Sequence, residues 1–453
     1  MIVQVGLLFL ALSFFLFYQV LFSRKKPFNG LIYAFAANGI LLAFMPYLGE
    51  DVSRFGRVPI AYFPFIAVAL AFSFKGGIRF HKSLQTLFLG IVVFLGYVIL
   101  SWVYRLEVFV STTPYVMMYI LYFFVFFASL RITTRCRKQD LDEFIKKMVY
   151  FLFIASIIGI LRYVSGFSID ANFFPLINRN GTVFALVLGF PMLFYLLDKR
   201  MIKQTVFWMI YLVYSTCLFL IFSRMGLIGF SMVHLYYLFL TRLNVKNILR
   251  FVLVLAIVIL IFIKAEDHIR VIQRFMRTID TISFIVQNEM TSEMGDYYRY
   301  VYINRALELI KTHFWFGVGP GLHNYRLALK DIGVFVKPSK SHNFYLSYFA
   351  ELGFVGFSIF IMILYSIYRS FKRNPEYLER KLFCSIWIAI MVMLTVNEYI
   401  TFPWIWFMFG IGAGYTLMNR SQGMLAANEA VNDDVFDDVS ADYAGEAHTE
   451  LLC

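Results

Sequence analysis

Apolar runs of roughly 17–25 residues recur from one end of this chain to the other, and nothing else in the sequence limits the fold as much. A run of that length crosses about 30 Å of hydrocarbon as a helix. A membrane barrel would instead show period-two alternation over about ten residues, and the chain has none. The expected fold is all-α, a polytopic transmembrane helical protein. Composition agrees: only 15% of the 453 residues are charged and 19% are aromatic, against about 25% charged in an ordinary soluble domain.

Spans are predicted near 3–22, 30–48, 60–74, 84–103, 112–130, 148–166, 182–198, 205–222, 226–241, 251–264, 343–368, 382–398 and 403–418, about 12–13 in all. The first has no basic leader and no small-residue cleavage site, and Arg24, Lys25 and Lys26 follow it, so it reads as a span rather than a signal peptide. The net charge of +13 is gathered in short clusters between the runs. That is the pattern of the positive-inside rule, and it does not describe a nucleic-acid surface. The inner loops then hold Arg131 to Lys147, Lys199/Arg200/Lys203 and Arg369 to Lys381, whereas the short outer loops hold only Arg54, Arg57, Arg105, Arg179 and Arg224. Cys136, Cys217, Cys384 and Cys453 are scattered and show neither a disulfide framework nor metal-ligand spacing.

Four regions follow: membrane spans over 1–264, an external loop over 265–342, further spans over 343–420, and a disordered cytoplasmic tail over 421–453 with eight acidic residues and no Lys or Arg. The external loop carries eleven Lys or Arg when Lys264 is counted. Long loops cross the membrane largely regardless of charge, so its basicity asks for an anionic ligand. Within it, 267–289 has the pattern of an interfacial amphipathic helix, 295–312 reads as a second helix, and GVGPG at 317–321 as a tight turn. Ser341 is placed as N-cap of the next span, which His342 opens.

The string SHNFYLSYFAELGFVG, from Ser341 to Gly356, carries the richest local chemistry. On one continuous helix Gly353 would return to within about 20° of His342 and Gly356 to within about 40°. The two glycines would then form notches for another helix or a lipid chain below the imidazole. Histidine can accept a proton from a hydroxyl, and a helix N-terminus attracts anions. Asn343 stands beside it as a supporting residue. Glu351 would fall on the opposite face, about 13.5 Å along the axis, and is expected in a structural ion pair. His323-Asn324 repeats the dipeptide without the paired glycines. Arg224, in IFSRMGLIGF, lies between two apolar runs with too few residues around it for a loop, so it is either functional or a snorkelling interface residue. Arg299 and Arg305 lie about 240° apart on the second loop helix. Arginine suits bidentate binding of pyrophosphate oxygens. Glu398, Arg54, Arg57 and Arg179 complete the candidates as possible supporting residues at the outer side. GVGPG follows no strand, so a nucleotide-cradling turn is not expected.

Three stretches together carry a family resemblance: SRMG between two spans, YYRYVYINRALELIKTHFWFGVGPG in the external loop, and HNFYLSYFAELGFVG. The chain resembles the O-antigen ligase/O-antigen polymerase superfamily, specifically from about 172 to 360 and topologically elsewhere. His-Asn, nine residues, then Gly-x-x-Gly is similar to that family's lipopolysaccharide O-antigen ligase signature. The resemblance implies a GT-C-like membrane glycosyltransferase in a bacterial inner membrane, its active site facing the periplasm and its partners including membrane lipids. The donor would be a glycan on undecaprenyl pyrophosphate, and the acceptor lipid A-core or a second lipid-linked glycan. No nucleotide, metal or other cofactor is implied. Arg224 and Arg299 would bind the pyrophosphate, with Arg305 the poorer match, and His342 would be the catalytic base. Phe314 departs from the pattern, since relatives often have proline there. A polymerase using the same donor, a transporter of an anionic lipid or solute, and a non-catalytic scaffold are the other readings. The absence of an internal repeat counts against the transporter.

Overall fold

A computed structural model of the chain describes residues 54–55, 58–59, 84–104, 109–134, 136–166, 179–221, 223–240, 297–333, 340–397, 400 and 404–419. The expected spans 3–22, 30–48, 60–74 and 251–264, the helix 267–289 and the tail 421–453 lie outside the described residues.

Apart from a two-residue antiparallel ladder, β1 (Arg54–Phe55) with β2 (Val58–Pro59), the described chain is helical. Its helices are α1 (Gln85–Tyr104), α2 (Phe109–Thr134), α3 (Lys138–Val164), α4 (Arg179–Asp198), α5 (Gln204–Ile221) and α6 (Arg224–Leu240). Then come α7 (Tyr297–Thr312), α8 (Leu322–Asp331), α9 (Phe344–Lys372) and α10 (Tyr377–Met393), with α11 over 404–419. Among the described residues six helices are long and apolar enough to cross a membrane: α1 to α5 and α9. The chain is a polytopic helical membrane protein. The helices follow the predicted spans closely, with one instructive difference. α3 begins ten residues before the expected 148, because Asp140 accepts a hydrogen bond from the Arg137 backbone N–H (3.1 Å) and starts the helix in charged sequence.

The bundle core is packed in the way membrane helices require. In water apolar side chains drive helices together, but lipid is as apolar as leucine, so close backbone approach has to replace that force. α11 supplies it with glycines. A Cβ on Gly410 would lie 2.3 Å from the Phe126 carbonyl oxygen, and one on Gly414 2.5 Å from that of Leu130, so α2 and α11 meet backbone to backbone. Trp406 stacks on Tyr122 in the space above them. α4, α6 and α10 form a second packed group.

One end of this bundle is closed by ion pairs. Lys199, just past α4, lies 2.8 Å from Asp142 of α3 and 2.9 Å from Glu379 of α10. The Tyr195 hydroxyl donates to Asp142 at 2.7 Å and lies 3.0 Å from Glu379. Lys381 pairs with Asp198 at 2.9 Å while covering the Tyr237 ring at the far end of α6. The cluster joins the segments whose basic loops the sequence assigned to the inner side. Glu379 stands in the first turn of α10, ahead of the expected span. Burial opposes its charge, yet the hydrogen bond and charge of Lys199, backed by Lys138, hold its carboxyl below the ordinary value of 4.5.

A carboxyl depressed in the folded state stabilises the fold above its unfolded pKa, and the contribution disappears as pH falls through the folded value. Glu379→Gln is therefore expected to lower stability by about 3 kcal/mol near neutrality, the scale for breaking a buried pair. The deficit should shrink below pH 4.5. Thermal melts in detergent across that range check it. A deficit unchanged by acid would show that the pair contributes through shape alone.

Candidate functional site

The opposite end of the bundle carries a small cap with its own core. Ala306 and Leu309 of α7, Tyr325, Ala328 and Leu329 of α8, and Ala350 of α9 pack together there. The cap rests on a break in α9. Gly353 has φ 66° and ψ −177°, so the helical ladder is interrupted. A buried break must find other partners for every orphaned backbone group, and the glycine turn provides them. The Ala350 and Glu351 carbonyls accept from the Val318 and Gly319 N–H groups, both at 2.9 Å. The Leu352 carbonyl accepts from the Tyr97 hydroxyl of α1 at 2.6 Å. In return, the Phe354 and Val355 N–H groups donate to the carbonyls of Phe314 (2.7 Å) and Trp315 (3.1 Å). Tyr97 also bonds the Phe316 carbonyl at 2.9 Å.

This interlock revises the expected role of the two glycines. Gly353 is no notch for a neighbouring helix or lipid. A Cβ there would sit 2.4 Å from the Gly317 nitrogen, so the loop's own backbone fills the space. Gly356 is covered by the Tyr97 ring. The helical-wheel relation between His342 and these glycines also fails, because His342 precedes the helix and Gly353 breaks it.

His342 itself is exposed and adopts φ 53°, the left-handed region, which His, Asn and Asp enter more readily than other non-glycine residues. Asn343, not Ser341, is the N-cap of α9: its side-chain oxygen accepts from the Leu346 N–H at 3.2 Å. The Ser341 hydroxyl donates to the Asn343 carbonyl (2.9 Å), accepts from the Asn343 N–H (3.2 Å) and meets Ser347 at 2.8 Å. The Phe344 N–H donates to the Leu394 carbonyl at the end of α10 (3.0 Å). These bonds hold both sides of His342 and turn it out of the helix. Glu351 enters the structural ion pair expected of it, with Lys340, and its carboxylate also accepts from the Gly321 N–H at 3.0 Å. One buried carboxylate therefore ties the glycine turn to the strand of chain that leads into His342.

The arginine candidates fall at the same end. Arg224 opens α6, and Gly229, five residues on, meets Met393 of α10, beside the Leu394 carbonyl that caps Phe344. Arg179 opens α4, whose Val183 touches Gly226 of α6. α4 and α6 therefore begin at the bundle end where His342 lies, and a helix N-terminus favours an anion. Arg299 lies in the first turn of α7. Arg305 is engaged with Glu308 at 3.0 Å on the same helix. Arg54 lies in β1, while Arg57 and Glu398 lie outside the described residues.

Sequence reasoning missed Tyr302. Its ring lies 6.3 Å from the His342 ring, tilted by 57°. It is three residues from both Arg299 and Arg305, so the two positions flank Tyr302 at about 60° on either side of α7. The YYRYVYINR spacing contained that signal. Asn324 of the second His-Asn pair is buried and donates to the Pro320 carbonyl at 3.0 Å and to Thr112 at 3.3 Å, while His323 is exposed. That pair docks α8 on α2.

No curated protein matches the chain. Residues 205–361 match the family model described as O-Antigen ligase, a stretch that runs from α5 through the arginine that opens α6, the cap helices and His342 to the α9 break. Over that stretch this helical membrane protein is similar to the O-antigen ligase family.

Proposed function

We propose that the chain is an O-antigen ligase-type glycosyltransferase that moves a glycan from undecaprenyl pyrophosphate to a sugar hydroxyl of lipid A-core. The observation that carries this reading is His342, exposed and turned out of the helix beside Tyr302, at the bundle end where α4 and α6 begin. In the proposed step His342 takes the proton from the acceptor hydroxyl. The oxygen forms a bond to the anomeric carbon of the donor sugar from the face opposite the leaving group. The anomeric C–O bond to the pyrophosphate breaks, its electrons stay on the phosphate oxygen, and the configuration inverts. Arg224 and Arg299 bind the departing pyrophosphate, and their charge is worth most as negative charge develops on it. Asn343 acts through the cap that orients His342. The proposed setting is a bacterial inner membrane with this end facing the periplasm.

The test is reconstitution of the purified chain in vesicles with an undecaprenyl-pyrophosphate-linked glycan and lipid A-core. Glycan joined to the core, with release of undecaprenyl pyrophosphate, is the expected product. Elongation of the lipid-linked glycan, with no core modified, would replace the ligase by a polymerase. Uptake of a solute or lipid with neither product would replace the enzyme by a transporter.

A further inference from the structure

The turn that clamps α9 also displays three consecutive aromatic residues. Phe314, Trp315 and Phe316 are 41%, 60% and 68% exposed, and Phe354, against which Phe314 stacks, is 46% exposed. No charged residue occurs between Lys311 and Arg326. A patch of this kind on a soluble surface marks a partner. Here its height along the helices identifies that partner.

Phe354 to Lys372 is a stretch of eighteen helical steps, about 27 Å, which nearly matches the hydrocarbon thickness of a bilayer. Its lower end carries Arg369 and Lys372, so its upper end at Phe354 falls at the opposite hydrocarbon boundary. α1 gives an independent measure. Tyr97, whose hydroxyl bonds the Phe316 carbonyl, lies seven residues short of the end of α1 at Tyr104, about 10 Å below it. Over that interval α1 still presents bare apolar side chains, with Leu100 at 71% exposure. The aromatic turn therefore sits beside the apolar outer faces of two spans, below the end of one of them.

The backbone at this point is also fit for a dry environment. The carbonyls of Phe314 and Trp315 accept from the Phe354 and Val355 N–H groups, the Phe316 carbonyl shares the Tyr97 hydroxyl proton with that of Leu352, and the Gly317 N–H donates to the His313 carbonyl at 2.9 Å. Non-helical chain at membrane depth requires that its polar groups be satisfied by protein. Tryptophan favours the boundary between acyl chains and headgroups.

We propose that Phe314-Trp315-Phe316 is a wedge seated among bilayer lipids, at the acyl-chain boundary of the leaflet on the His342 side. Its carbonyls clamp the α9 break, so the wedge fixes the height of α7 and His342 above the hydrocarbon. The proposal does not depend on the transfer reaction.

The full chain is reconstituted in phosphatidylcholine vesicles whose acyl chains are brominated near the headgroup, and wild-type fluorescence is compared with that of Trp315→Phe. The Phe ring preserves the wedge, so the difference between the two isolates one indole. A blue-shifted difference emission, quenched by the brominated lipid and insensitive to aqueous iodide, is expected. Emission typical of indole in water, with iodide quenching, would overturn the wedge. So would a difference insensitive to bromine together with disulfide formation between two Trp315→Cys chains, which would make the occupant a second copy.

Discussion

If His342 is the base of the proposed transfer, replacing it with Asn is expected to lower transfer by about 10²- to 10⁴-fold, the usual contribution of a positioned general base. Asn is the informative substitution because of where His342 sits. At φ 53° an alanine would add backbone strain to the loss of the imidazole, and the two effects would be confused. Asparagine tolerates the left-handed region and keeps a polar side chain, but it cannot take a proton from a sugar hydroxyl near neutrality. The N-cap belongs to Asn343 and the surrounding bonds to Ser341 and Ser347, so the turn survives the change. An initial-rate assay with the lipid-linked donor, on protein shown by thermal melting to be folded, reads the effect. Undiminished transfer would remove His342 from the chemistry and return attention to the arginines. Loss of transfer with a matching loss of folded protein would assign His342 to structure instead.

The helices were legible because their cause is local and repeated. Each apolar run carries its own reason to be helical, and α1, α2, α4 and α5 start and end within a few residues of the predicted spans. The Gly410/Gly414 contact went unread, although two glycines four apart stand there in an apolar run. The geometry of the site was less accessible. His342 and Gly353 looked related through helical periodicity, but periodicity assumes an unbroken helix. The break at Gly353 exists only because a turn 36 residues earlier, Gly317, supplies the missing hydrogen-bond partners. No local pattern joins those positions. Glu351 does enter the expected ion pair, although the wheel argument that set it opposite His342 fails once His342 precedes the helix. The ion-pair cluster around Glu379 was hidden for a related reason. Its members come from α3, α4, α6 and α10, and singly each resembles an ordinary inner-loop charge.

The clamp itself yields the largest stability effect. Gly353→Ala is expected to cost more than about 3 kcal/mol, for two separable reasons. At φ 66° and ψ −177° the backbone occupies a region that only glycine enters freely, and strain of this type costs about 1–3 kcal/mol. The new Cβ would also meet the Gly317 nitrogen at 2.4 Å and Phe316 backbone at 2.5 Å, and main chain cannot swing aside as a side-chain tip can. Gly356→Ala makes a sharper control than an arbitrary site. It meets the Tyr97 ring, which the clamp's own hydrogen bonds to Leu352 and Phe316 hold in place, but Gly356 carries no positive φ, so the backbone-strain part of the cost should be missing. Gly317→Ala resembles Gly353→Ala, since its φ is 68° and its Cβ would lie 2.4 Å from the Glu351 carbonyl oxygen. The two glycines serve one interlock, so their effects should not add. Once either substitution has parted the turn from α9, the second has little left to disrupt. Thermal melts of both single variants and the double variant in detergent measure this coupling. Additive losses would mean that the turn and the helix break are stabilised independently, and that His342 is held by its own cap without help from the clamp below.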